Sequence, residues 1–222
     1  MTARSIRRDE SGAVLVELSI LLPIVITVLC GAIDVLYAFY QWNAAAKAVQ
    51  VGARIAAVSD PVAIGLNNLS NQVLLSGLVT PGQPMPSFQV TCDGGTETCT
   101  CVGTCTDLAP NPYSHAAMNA IVFGRGSASC TDATSYYTSG MCDILPSISP
   151  ANVKIIYTQT GLGYAGRPGG PVPTITVALQ NMNFQFFFLS YLLGPDIPMP
   201  AMTTTITAED LCSGGGGGSC GS

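Results

Sequence analysis

One long apolar stretch dominates the first sixty positions of the chain. Ala13 to Ile33 is a run of 21 residues in which Glu17 is the only charged side chain. As an α-helix this run is about 31 Å long, which matches the roughly 30 Å hydrocarbon core of a bilayer. A secretory signal peptide has a shorter apolar core before its cleavage site, whereas here the helical pattern continues beyond Asp34. The pattern therefore predicts a single membrane-spanning helix that the chain retains as an anchor.

Helical periodicity continues after the apolar run. Polar residues recur at spacings of four, three and four, and a mainly apolar stripe lies on the opposite side. The polar set is Asn43, Lys47, Gln50 and Arg54, and the opposing set is Trp42, Ala45, Val49, Ala53 and Ala56. We expect one unbroken helix to about Ser59, where Asp60-Pro61 can end it, with a kink at Pro23.

The second half of this helix is rich in small side chains. They are Ala44, Ala45, Ala46, Ala48, Gly52, Ala53, Ala56 and Ala57. Helix propensity alone would favour the alanines, but it disfavours Gly52. Because small side chains let helices approach closely, we interpret the stripe as a surface for packing against other helices.

Four later segments alternate their side chains as strands do and are rich in β-branched residues. They are residues 88–92, 152–159, 173–182 and 200–209. A Gly- and Pro-rich connector between the second and third predicts a long hairpin loop. Short helices are expected within 64–78 and 114–123. The apolar segment "FQFFFLSYLLG", residues 184–194, is too short to cross a membrane as a helix and is interpreted as buried core.

Charge sets an orientation and excludes one class of partner. The formal net charge of −5 argues against nucleic-acid binding, which needs clustered Lys and Arg. Arg4, Arg7 and Arg8 precede the apolar run, and almost no basic residue follows directly behind it. By the positive-inside rule the N-terminus stays in the cytoplasm and the rest of the chain is exported.

The cysteine count is consistent with export. Of nine cysteines, Cys30 lies in the apolar run, which leaves eight, an even number, outside it. These eight are Cys92, Cys99, Cys101, Cys105, Cys130, Cys142, Cys212 and Cys220. An even number in an oxidising compartment favours disulfides, although eight cysteines allow 105 pairings. The spacing of the first four does not match the paired repeats of structural zinc sites, so no metal is expected.

Together these patterns predict an α+β fold. A long N-terminal helix, transmembrane in its first half, precedes a small exported antiparallel β-rich domain with a disulfide-stapled loop region. We assign residues 1–12 to a basic leader, 13–59 to the helix and 60–211 to the exported domain, which includes a Cys-rich insertion at 92–142. Residues 212–222 form a flexible Gly-rich tail.

No catalytic constellation stands out. The single histidine, His115, has no nucleophile elbow beside it and is expected to be a surface or capping residue. The stretches "GLGYAG" and "GRPGG" do not stand between a strand and a helix with the partners of a phosphate loop. We therefore predict a protein that is not an enzyme and needs no cofactor.

The order of residues at the start of the helix is specific. A basic leader, Gly12, Ala13, three apolar residues and Glu17 precede the uninterrupted apolar helix. This order resembles the prepilin signal of type IV-like pilins, in which a membrane peptidase cuts after the glycine and the glutamate becomes residue five. The resemblance implies processing between Gly12 and Ala13 and a role for Glu17 in filament assembly.

A closer resemblance covers about a quarter of the chain. "GAVLVELSILLPIVITVLCGAID" followed by "QWNAAAKAVQVGARIAA" is similar to the TadE-like family of tight-adherence (Tad) pilus pseudopilins. Family members share a G-A-x-x-V-E start, a membrane proline, a Gly-x-Ile-Asp/Glu exit and a G-A-R-x-A end. Leu18 departs from many Tad major pilins, which carry an aromatic residue there. This departure and the chain length favour a minor pilin or pseudopilin.

The resemblance implies a structural component of a Tad pilus or its secretion apparatus, used for surface attachment. Its partners would be other pilin or pseudopilin subunits, the prepilin peptidase, the Tad inner-membrane assembly platform and the lipid bilayer. The protein would be single-pass in the bacterial inner membrane with a periplasmic C-terminal domain. The alternative is a membrane-anchored adhesin or binding module that is never cleaved, since a helical anchor serves both.

Overall fold

The computed structural model describes residues 10–105, 108, 111–127, 129–130, 139–167, 170–194, 197–209 and 211, without the side chains of 10–13, 192 and 193. Their contacts divide the chain into two compact units. Residues 1–40 and 183–197 belong to one, called the helix unit, and residues 41–182 and 198–222 to the other, called the sheet unit.

Helix α1 spans Glu10–Ala57 without a break, also through Pro23. This confirms the predicted continuous helix, which ends within two residues of the expected position. From Val14 to Ile33 almost every large apolar side chain is exposed. In the part of the chain that the structure describes, α1 is the one helix long and apolar enough to cross a membrane.

The sheet unit contains a five-stranded antiparallel sheet. Its strands are β1 (Phe88–Asp93), β2 (Thr98–Gly103), β3 (Val153–Thr158), β4 (Thr174–Leu179) and β7 (Met202–Thr207). Their spatial order is β2-β1-β3-β4-β7. Alternate residues of the central strands β3 and β4 are buried, so one face of the sheet covers the core. The four predicted strands and the hairpin between β3 and β4 are thus confirmed.

Strand β2 was not expected from the sequence, which predicted a loop region with one short helix, at 114–123, for the Cys-rich insertion. It forms a hairpin with β1 in which Cys92 lies opposite Cys99. The turn is held by Asp93, whose carboxylate accepts bonds from Gly95, Gln180 and Lys154, the last at 3.0 Å. Partial burial raises the pKa of Asp93, but these bonds lower it more, so the net pKa lies below the usual value.

Short elements complete the fold. The weak helical pattern in 64–78 becomes a 3-10 turn, Leu66–Asn68, and α2, Leu69–Leu75. The helix predicted in 114–123 is α3, His115–Phe123, and the Ser114 hydroxyl accepts a bond from the N–H of Ala117 at its start. Two-residue strands β5 (Asn183–Phe184) and β6 (Ile197–Pro198) pair with each other, and α4 covers Ser190–Leu193.

The last turns of α1 are buried inside the sheet unit. Ala45, Ala48, Ala53, Ala56 and Ala57 have almost no exposed surface, whereas the polar stripe from Asn43 to Arg54 is exposed. The small side chains therefore pack within the chain itself, and their interpretation as a surface for other helices was wrong. The stripe brings the helix backbone close to the core of its own domain.

Hydrogen bonds that involve Arg125, Glu209 and Tyr157 hold the end of α1 and the segment directly behind it in the sheet unit. The Arg125 guanidinium donates to the carbonyl of Val58 and to the Ser59 hydroxyl, which satisfies acceptors at the helix C-terminus. The N–H of Glu209 donates to the carbonyl of Ala57. The N–H of Val62 donates to the hydroxyl of Tyr157, whose full burial raises its pKa.

Three cysteine pairs lie at disulfide distance in the sheet unit. They are Cys92 with Cys99, Cys101 with Cys105, and Cys130 with Cys142. Cys30 is free. Cys212 and Cys220 lie outside the described residues, as does the Gly-rich tail.

Candidate functional site

The start of α1 carries the residues that the sequence analysis selected for processing and assembly. The backbone at Gly12 and Ala13 is helical, and Glu17 follows on the same helix, about 7.5 Å along its axis from Gly12. The Glu17 side chain is exposed among the exposed apolar side chains of Val14 and Leu18. No described residue pairs with its carboxylate, so the charge is available to a group outside this part of the chain.

The hydroxyl groups within the apolar run form hydrogen bonds with backbone carbonyl groups of the same helix. The Ser19 hydroxyl donates to the carbonyl of Val16 at 2.7 Å, and the Thr27 hydroxyl donates to the carbonyl of Pro23 at 2.8 Å. Hydroxyl groups bonded in this way can face hydrocarbon at low cost. The helix continues through Pro23, and the kink expected there stays a prediction.

Asp34, directly behind the apolar run, makes contacts that the sequence did not predict. Its carboxylate is fully buried in the helix unit. Oδ1 accepts a bond from the N–H of Phe187 at 2.9 Å, and Oδ2 accepts from Phe188 at 2.7 Å and Leu189 at 2.5 Å. One side chain thereby holds three consecutive backbone donors that would otherwise lack partners.

Two side-chain contacts extend this attachment along α1. A methyl group added to Gly31 would lie 3.8 Å from Cδ1 of Leu189, so the leucine lies over the glycine. On the other side of Asp34, the rings of Tyr37 and Phe187 lie 5.0 Å apart. The available signal in the sequence was an aspartate at the end of an apolar helix together with an uncharged, aromatic segment far along the chain.

That segment is not the buried core that its composition predicted. Phe187 is 61% exposed, Phe188 50% and Tyr191 96%. The expectation of a buried core was wrong because apolar composition alone does not determine whether a segment is buried within its own chain.

The other candidate residues are structural. The paired cysteines lie in the sheet unit, and the residues predicted to act in processing and assembly lie in the helix unit. His115 is a surface residue at the start of α3, with Nδ1 3.8 Å from a Glu97 carboxylate oxygen. Among the described residues no three His, Cys, Asp or Glu side chains form a group that could hold a metal ion.

The family model described as TadE-like protein matches residues 12–54 of the chain. The match confirms the resemblance expected from the sequence, and it lies entirely within α1. It indicates a pilus-associated, pseudopilin-like protein of a structural family, for which one long apolar helix fits a membrane anchor. No curated protein and no solved structure matches the chain.

Proposed function

We propose that this chain is a TadE-like minor pilin or pseudopilin that takes part in assembling a Tad pilus or its secretion apparatus for surface attachment. The observation that carries the proposal is the position of Glu17. It lies five residues behind Gly12, where the family match begins, on an exposed apolar helix and with no partner among the described residues.

The charge at Glu17 has a physical purpose in this proposal. Cleavage between Gly12 and Ala13 creates a new ammonium group on Ala13 at the membrane edge. When subunits pack into a low-dielectric filament core, that ammonium needs a carboxylate close by. Glu17 of a neighbouring subunit supplies it.

The same proposal assigns location and partners. The uncleaved N-terminus with its arginines stays in the cytoplasm, the helix crosses the inner membrane once, and the sheet unit is periplasmic. A prepilin peptidase recognises Gly12, and other pilin subunits and the Tad assembly platform bind the mature helix. In an assembled pilus the sheet unit becomes extracellular.

Processing at Gly12 is the direct test. In cells with an active prepilin peptidase, N-terminal sequencing should find a mature chain that begins at Ala13. Gly12→Leu should leave the leader attached, because the residue required at the cleavage site is lost. Ala32→Leu, which adds the same side chain at an exposed position of the same helix, should be processed as the wild type is. A wild-type chain that still begins at Met1 would instead support the uncleaved adhesin or binding module.

A further inference from the structure

An uncharged aromatic segment lies exposed in the helix unit. We call residues 184–191 the aromatic loop; it contains Phe184, Phe186, Phe187, Phe188, Leu189 and Tyr191, and no Asp, Glu, Lys or Arg. Its backbone is held by Asp34, so the exposed rings belong to an ordered surface. An ordered surface of this composition points to a partner that is itself partly apolar.

The attachment to Asp34 sets the level of the loop along α1. The apolar run ends at Ile33, after about 31 Å of helix, so the Asp34 carboxylate lies where the helix leaves the hydrocarbon core. The three N–H groups that it accepts from are therefore at the same level. Without the loop, this carboxylate would stand unpaired at the edge of the membrane.

The loop reaches to both sides of that boundary. Leu189 lies over Gly31, one turn nearer the membrane than Asp34, and Phe187 packs on Tyr37, about one turn beyond it. Phe39 and Tyr40 of α1 are also exposed close to this level. Trp and Tyr side chains concentrate at the headgroup boundary of membrane proteins because an apolar ring there carries a polar group, and Tyr37 and Tyr40 are of this type.

We propose that the aromatic loop is a second membrane contact, inserted into the boundary between headgroups and acyl chains of the leaflet at which α1 emerges. The inference rests on the proposed function, because it needs α1 to span the membrane. Continuity with the lipid-facing surface of α1, the absence of charge and the level set by Asp34 favour lipid over a second copy of the chain. Asp34 and Gly31 are positioning residues, since they hold the loop but do not themselves face lipid.

Depth-dependent fluorescence quenching in the full chain can test whether the aromatic loop inserts into the membrane boundary. The single tryptophan is replaced by Trp42→Phe, and one new tryptophan is introduced into that background. Tyr191→Trp reports on the aromatic loop, Leu21→Trp on the membrane span, and Tyr164→Trp on an exposed tyrosine of the sheet unit. Each protein is reconstituted into phosphatidylcholine vesicles whose acyl chains carry bromine either near the headgroup or near the terminal methyl.

We expect bromine near the headgroup to quench the Tyr191→Trp protein more strongly than bromine near the terminal methyl does. The Tyr191→Trp protein should also be quenched more strongly than the Tyr164→Trp reference. The Leu21→Trp protein should be quenched as well. Adding Asp34→Asn should reduce the loss at position 191 while leaving that at position 21, because an amide has only one oxygen to accept three N–H groups.

Two results would overturn the membrane contact of the aromatic loop. Only the second would also overturn the proposed function. If position 21 is quenched but position 191 loses no more emission than position 164, the loop is not in lipid and the proposed function is untouched. A blue-shifted emission at 191 without bromine quenching belongs to the same case and points to a second copy of the chain. If position 21 is itself unquenched, the membrane span fails, and the proposed function fails with it.

Discussion

At the residue scale, Gly52 shows how closely α1 approaches its own domain. A Cβ atom placed on it would lie 2.4 Å from Sδ and 2.8 Å from Cγ of Met141, which is itself fully buried. Because these atoms are far inside van der Waals distance, the methionine would have to move in a packed interior. A glycine that costs about 1 kcal/mol in helix propensity is therefore compensated by tight packing.

We predict that Gly52→Val lowers the free energy of unfolding by about 1 to 3 kcal/mol through overpacking. Urea unfolding of the detergent-solubilised full chain, followed by Trp42 fluorescence, measures it. Gln50→Val, at an exposed position of the same helix, should change stability far less. In a double-mutant cycle, Met141→Ala should remove most of the penalty of Gly52→Val. Additive effects of the two changes would show that the valine does not meet Met141.

Single residues differ in how far the sequence reveals their roles. Glu17 could be selected because a lone charge in an apolar run is conspicuous in one dimension. The contacts of Asp34 could not be predicted, because its partners Phe187 to Leu189 are 153 to 155 positions away along the chain. Since its bonds go to backbone N–H groups, no complementary side chain marks the partner in the sequence.

At the scale of elements, periodicity predicted which faces are polar but not what covers the other faces. The stripe from Asn43 to Arg54 is exposed as expected, and α1 is continuous. The alanine stripe was assigned to other helices because small residues permit close packing without specifying the partner. Strands β1, β3, β4 and β7 were predictable from β-branched alternation, whereas "TCTCVG" in β2 has mixed composition and becomes a strand by pairing with β1.

Disulfide pairing was also beyond the sequence, because it depends on which strands become neighbours. We predict that peptide mapping without reduction finds Cys92 linked to Cys99, Cys101 to Cys105 and Cys130 to Cys142, with a free thiol at Cys30. Each bridge should contribute about 2 to 4 kcal/mol by restricting the unfolded chain, so reduction should lower the unfolding midpoint. Cys30→Ser should leave the map unchanged. A stoichiometric bound metal, or free thiols at most of these positions, would contradict the prediction.

At the scale of the whole molecule, the family match covers the long helix but not the sheet unit's strands. The match covers residues 12–54, whereas all five strands of the main sheet lie behind it. The long apolar helix and its resemblance to the TadE-like family could therefore be predicted from the sequence. The sheet could be predicted as a fold, but its order and its disulfides required the structure, since they depend on long-range pairing.

Replacement of Glu17 separates processing from assembly. Glu17→Val removes the carboxylate but leaves helix length and apolarity intact, so membrane insertion should survive or improve. Cleavage behind Gly12 should also survive, because the glycine and the basic leader are unchanged. Incorporation into a pilus or pseudopilus should fail, since the Ala13 ammonium of a packed neighbour loses its partner, at a cost of about 3 to 5 kcal/mol for a broken buried pair.

Processing and assembly can be measured in three mutant strains. N-terminal sequencing reports on processing, and the amount of protein in sheared surface fractions reports on assembly. Glu17→Gln, which keeps the shape of the side chain, should be processed but not assembled, as Glu17→Val should be. Gly12→Leu should be neither processed nor assembled. If Glu17→Val assembles as the wild type does while Gly12→Leu does not, the pairing role is wrong. Glu17 would then be an interfacial residue whose carboxylate reaches the cytoplasmic headgroups, since it lies near the start of the helix.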